Sequence, residues 1–329
     1  MVSGMMAIAR RLLKWVQPLM VAVAALFIAF LIVGQWQALR QHAWQLHGGW
    51  LALATTLLLA AWSLEIAIWR HLLALLGGHL PLDVAGRIWF LSAVVRYIPG
   101  NIWHPLSMTV YGQRWGIRPE ATVTSIALYQ AIILLAVAPI AALYFALTGN
   151  WGLLTSSLGS LTPGLVPLLL APVALFLLRP QWLLHLTNWG LRRLGRTTLE
   201  TRLSSRRLCW LLTLAAGDWL LWGGCFAALT FGLGDYSAAR LAELLPHLVA
   251  AYPIAYAVGF LSLLTPSGFG VREGAFLVLL APLLDGAVVT VIALAMRLFT
   301  AVGEAVMALL SLLMERHQAA HALGLAPRK

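Results

Sequence analysis

The chain has 329 residues, of which 61% are hydrophobic and only 10% charged, against about 25% charged in an ordinary soluble domain. Apolar runs of bilayer-crossing length recur along it, so its formal net charge of +11 does not point to nucleic acid. The basic residues sit in short segments between those runs, where they orient helices and meet anionic headgroups. No polar stretch is long enough for a separate soluble domain. Residues 1–329 therefore read as a single polytopic domain, an all-α integral membrane protein of about 6–8 transmembrane helices.

In chain order, run one covers 15–34, behind Arg10, Arg11 and Lys14. Its apolar stretch is longer than a signal-peptide core and no small-residue cleavage site follows it, so it reads as an uncleaved first helix. Run two covers 50–76. The segment 85–113 is interrupted at Pro99-Gly100. Run three covers 121–148 and run four covers 163–178. A basic amphipathic segment spans 179–207, where Trp182, Leu183, Leu186, Trp189, Leu191 and Leu194 interleave with Arg192, Arg193 and Arg196. Run five covers 208–233, a second interrupted segment 238–284, and the last run 286–314. Trp15 and Trp36 bracket run one, and Trp50 and Trp69 bracket run two, as in an interfacial aromatic belt. Cys209 and Cys225 stand roughly 24 Å apart along one helix, too far for a disulfide.

Charge orients these runs. The arginine-rich 179–207 segment and both termini read as cytoplasmic; the uncharged 149–162 segment and 35–49, with only Arg40, read as external. Segment 85–113 must then enter and leave on the cytoplasmic side, as a re-entrant hairpin broken at Pro99-Gly100. Segment 238–284 starts and ends outside. It is either a second re-entrant broken hairpin, interrupted at Pro266-Ser267-Gly268, or two full spans. The halves 15–148 and 163–314 share one order of elements and read as an inverted repeat, a transporter pattern.

Two breaks concentrate the residues suited to chemistry. At Pro99, Gly100 and Asn101 a half-helix would start inside the membrane, its amides suited to a phosphate or carboxylate, with Arg96 one turn earlier. The plainer alternative is a kink with Arg96 snorkelling to the interface. The second break carries Pro266, Gly268 and Gly270, then Arg272 and Glu273. There Glu273 is suited to capping the new helix, with or without a role in binding. Arg297 and Glu304 share one face of the last run and can pair through neighbours or with Glu273 and Arg272. Glu65 and Asp218 are lone intramembrane acids, suited to carrying a proton or, more plainly, to a hydrogen bond with a neighbouring helix. No cofactor is expected and no metal site: the histidines are scattered, with only His104 near a break. A phosphate-binding Gly-Lys-Ser/Thr loop, a Gly-x-Ser-x-Gly elbow and a His-Glu-x-x-His helix are all missing. The expectation is a protein that is not an enzyme.

The stretch Arg96-Tyr-Ile-Pro-Gly-Asn-Ile-Trp103, followed by Gly112-Gln-Arg-Trp-Gly116, resembles the first signature of the lysylphosphatidylglycerol synthase transmembrane (flippase-like) family. Pro266-Ser-Gly-Phe-Gly-Val-Arg-Glu-Gly274 resembles its second. The resemblance covers roughly 10–315; Trp103 stands where a glycine is often seen. It implies a membrane domain linked to moving lipids between leaflets. Since the chain stops at Lys329, it also implies a stand-alone member without the soluble aminoacyltransferase domain.

The function expected is a lipid or lipid-carrier translocase of the bacterial inner membrane, binding an anionic headgroup at the helix breaks. Its partner would be a membrane phospholipid or a polyprenyl-linked lipid. The alternative is a non-transporting accessory protein for a lipid- or envelope-glycan-modifying membrane enzyme, docked through 179–207. A membrane-embedded transferase is a third reading, weakened by the missing acidic or nucleophilic constellation.

Overall fold

A computed structural model describes residues 45–97, 103–149, 164–193, 195–199, 201–262 and 270–322, together with Val33, Trp36 and Arg40. Every regular element among them is a helix. They are α1 (Gly48–Leu75), α2 (Leu82–Ala93), a 3-10 turn (Val94–Tyr97), α3 (Trp103–Gln113), α4 (Pro119–Thr148), α5 (Leu165–Leu178), α6 (Gln181–Arg193), α7 (Ser205–Gly232), α8 (Ala238–Leu261), α9 (Val271–Leu280) and α10 (Gly286–Ala322). Five of them, α1, α4, α7, α8 and α10, are long and apolar enough to cross a membrane. Expected run one lies outside the described residues except for Val33.

Helix α7 is the hub, packing on α1, α4 and α8. It runs antiparallel to α1: the His47 amide donates to the Gly232 carbonyl (3.0 Å) at one end, and the His71 and Trp210 rings meet edge-on at the other. In lipid there is no hydrophobic drive to bring helices together, so close approach through small residues must supply the contact. At Gly223 a Cβ would stand 2.2 Å from the Val249 carbonyl oxygen of α8; at Gly303 on α10 it would stand 2.7 Å from the Trp62 ring of α1. Buried indoles find internal acceptors, Trp69 on Ser125 Oγ (3.1 Å) and Trp219 on the Ile133 carbonyl (2.8 Å), since no water is there to serve.

Helices α2 and α3 form the first hairpin, pinned by Ser92 Oγ to Ser107 Oγ (3.0 Å). Its arms, 12 and 11 residues long, reach only about 15–18 Å, far short of a ~30 Å hydrocarbon core. Its two ends lie together: Arg70 of α1 donates to the Leu80 carbonyl (2.6 Å), and Gly77 lies beside Arg118 at the start of α4. Segment 238–284 turns back on itself, with one arm, α8, long enough to cross and a much shorter return arm. Arg240 donates to the Leu283 carbonyl, joining the two ends. Helix α9, with 10 residues, is about 15 Å long and cannot cross. This second hairpin starts where α7 ends and α1 begins, with Tyr236 on Phe231 and Phe231 on Trp50. The hairpins therefore enter from opposite ends of the bundle.

Run four corresponds to α5, and the basic segment after it turns away. Helix α5 has 14 described residues and meets α6 at 86°. Pro180 accounts for the break, because it lacks an amide and bars Arg179 from helical geometry. Helix α6 thus lies across the end of the bundle. Leu183, Leu184 and Leu191 are buried, while Trp182, Leu186 and Trp189 form an exposed stripe. Asn188 exchanges two 3.0 Å bonds with the Leu199 backbone, and Arg196 reaches Glu120 at 3.5 Å.

Gly223→Ala should lower stability by about 1–3 kcal/mol, the usual cost of overpacking, because the facing atoms are backbone. Thermal unfolding in detergent checks this against Gly217→Ala, where a Cβ meets open space.

Candidate functional site

The tip of each hairpin carries an arginine, and α10 runs past both tips. Arg96, in the 3-10 turn of the first hairpin, reaches Glu304 of α10 at 3.4 Å; the Glu304 side chain is 6% exposed and that of Arg96 41%. Glu273, in the first turn of α9, pairs with Arg297 of α10 at 2.5 Å, both side chains less than a fifth exposed. The sequence allowed Arg297 and Glu304 to pair with each other through neighbours or with Glu273 and Arg272. Arg297 meets Glu273, and Glu304 meets Arg96, so that each serves a different hairpin from positions two turns apart on one helix face.

Gly270 takes φ +78°, the left-handed region that favours glycine, and precedes α9. Its amide donates to Glu273 Oε2 at 2.8 Å. The carboxylate therefore caps its own helix with one oxygen and holds Arg297 with the other. This is the capping role that the sequence suggested for Glu273. Pro99, Gly100, Asn101, Pro266 and Gly268 lie outside the described residues.

Arg272 stands apart. No carboxylate lies within ion-pair distance of it among the described residues. Its guanidinium sits over the Tyr252 ring at 4.5 Å, with Phe276 at 5.6 Å and Tyr256 at 5.9 Å. Ring faces steady a cation without neutralising it. Behind this cage Trp222 stacks on Tyr252 (5.4 Å) and donates to Glu65 Oε1 (3.0 Å), and Tyr256 accepts from Gln130 (3.4 Å). The sequence reading missed these aromatics. The available signal was position: Trp222, Tyr252 and Tyr256 lie deep inside their helices, away from the ends where an interfacial belt belongs.

Asp218 is 1% exposed, and neither carboxylate oxygen has a hydrogen-bond partner among the described residues. An apolar groove of about 300 Å³ between α1, α7 and α8 is lined by Trp50, Leu57, Ala227, Ala228, Phe231 and Leu241, among others. Among the described residues no group of three or more His, Cys, Asp or Glu is placed to hold a metal ion.

Helical spans, two broken hairpins and charges held between them define a multi-pass all-α membrane protein. The chain belongs to the family described as the lysylphosphatidylglycerol synthase TM region, whose model matches residues 18–308. The family ties it to lipid metabolism or translocation. No curated protein matches the sequence.

Breaking the Arg297–Glu273 pair from one side should be worse than removing both partners, because a lone buried charge remains. Arg297→Met alone should cost about 3 kcal/mol, and adding Glu273→Gln should recover part of it. A double-mutant cycle of unfolding free energies in mixed micelles measures this coupling.

Proposed function

We propose that the protein is a translocase for lipids with an anionic headgroup, phospholipid or polyprenyl-linked, in a bacterial inner membrane. The observation that carries the reading is Arg272, a largely buried arginine at a helix break with no carboxylate partner among the described residues. The three arginines at the tips and on α10 outnumber the two glutamates that pair with them, and a single phosphate would balance that surplus. Charge held inside a membrane protein at this cost usually serves a ligand.

The two hairpins enter from opposite ends, so a headgroup beside their tips stands between the two faces of the membrane. The acyl or prenyl tails stay in lipid, where the groove on α1, α7 and α8 offers them an apolar wall. With the arginine-rich 179–207 segment inside, both termini are cytoplasmic. Helix α6 then lies at the inner interface, its exposed Trp182, Leu186 and Trp189 in lipid and Arg192 and Arg193 near phosphates. In this reading the stripe meets the membrane rather than an enzyme partner, and no catalytic step is included.

Leaflet exchange of fluorescent phosphatidylglycerol in proteoliposomes, followed by chemical quenching of the outer leaflet, tests this. Wild type should expose probe beyond the outer-leaflet share. Arg272→Gln should slow exchange about tenfold, equivalent to ~1.4 kcal/mol. Exchange untouched in both Arg272→Gln and Arg96→Gln, at equal protein level, would place translocation elsewhere.

A further inference from the structure

We infer that Asp218 and Glu65 form a proton-binding pair whose occupancy is coupled to headgroup binding at the arginines. The inference deepens the translocase reading and rests on it for its biological meaning. Asp218 is sealed from solvent, and both its oxygens lack a hydrogen-bond donor among the described residues. A bare carboxylate in that setting is costly, and a proton removes the charge.

Trp222 lies one turn after Asp218 on α7, and its indole donates to Glu65 Oε1 of α1 at 3.0 Å. That bond brings the two carboxyls onto one side of the α1–α7 contact. From α1, Glu65 is the group that faces Asp218; from α4 it is Tyr129. From α8, Tyr252 and Tyr256 meet the indoles of Trp219 and Trp222. Helices α5 and α10 bring no charged group against Asp218 among the described residues, whereas Glu65 is faced by Arg96 of the 3-10 turn and Glu304 of α10, with Tyr129 hydrogen-bonded to it. Glu65 is less deeply buried than Asp218, so the proton route to Asp218 runs past Glu65.

The chemistry is one O–H bond formed on each of the two carboxyls and later broken, the protons coming from water and returning to it. The electrostatic consequence reaches the arginines. With both acids neutral, Arg96, Arg272 and Arg297 exceed Glu273 and Glu304 by one positive charge. With both ionised, that surplus becomes a deficit of one. Anion and proton therefore bind together and leave together.

Infrared titration of the protein in lipid nanodiscs reads the carbonyl stretch of protonated carboxyls. A band at neutral pH is expected in wild type, weakened in Asp218→Asn and kept in Asp218→Glu, which controls for folding. Calorimetry of short-chain phosphatidylglycerol in two buffers of different ionisation enthalpy should show proton uptake on binding, abolished in Asp218→Asn. Identical infrared bands in wild type and Asp218→Asn, or lipid binding without proton uptake, would overturn the pair. Proton uptake without any leaflet exchange would support the pair and sink the translocase reading; exchange without uptake would do the reverse.

Discussion

Arg297 and Glu304 tie both hairpin tips to one helix. A charge in the membrane interior has no water to fall back on, so each must find its opposite within the protein or hold a ligand. Glu304 takes Arg96 from the first hairpin and Arg297 takes Glu273 from the second. Because the two charges are spaced along α10, the tips are held at different depths on the same face. The Gly303 contact with Trp62 presses that stretch of α10 onto α1, which in turn packs along α7. Position, packing and charge are thus set by the same few residues.

Within this frame Arg272 is the exception. The other tip arginine and the α10 arginine each have a carboxylate, whereas Arg272 is steadied by Tyr252, Tyr256 and Phe276. An aromatic cage keeps a guanidinium in place while leaving its charge available. Glu273, next in sequence, is committed twice, to the Gly270 amide and to Arg297. Adjacent residues therefore divide the work: Glu273 builds the break, and Arg272, with no carboxylate partner among the described residues, is the group that the proposed reading gives to the ligand.

Much of the architecture was legible in the sequence, because the bilayer allows few solutions. Apolar length alone placed runs two, three and five within three residues of α1, α4 and α7. Proline and glycine marked both hairpins. Charge could not choose between a hairpin and two spans for 238–284, since both keep the ends on one side, as the Arg240–Leu283 bond does; what the structure adds is a long arm, α8, and a short one, α9. Run four ends where expected, and Pro180 turns the chain by 86° into the basic amphipathic segment. In the site, helical spacing showed which charges share a face, but not which neighbour each meets, because that depends on crossing geometry. The aromatic cage escaped for a related reason: Tyr252 and Trp222 join only across a contact between α7 and α8.

The central claim is that an anionic headgroup binds beside Arg272, between the hairpin tips. Native mass spectrometry of the delipidated protein titrated with phosphatidylglycerol and phosphatidylcholine tests it most directly. The account predicts preferential retention of phosphatidylglycerol, lost in Arg272→Gln while the folded protein and its phosphatidylcholine adducts persist. Equal retention of the two lipids, or a preference that survives Arg272→Gln, would contradict it.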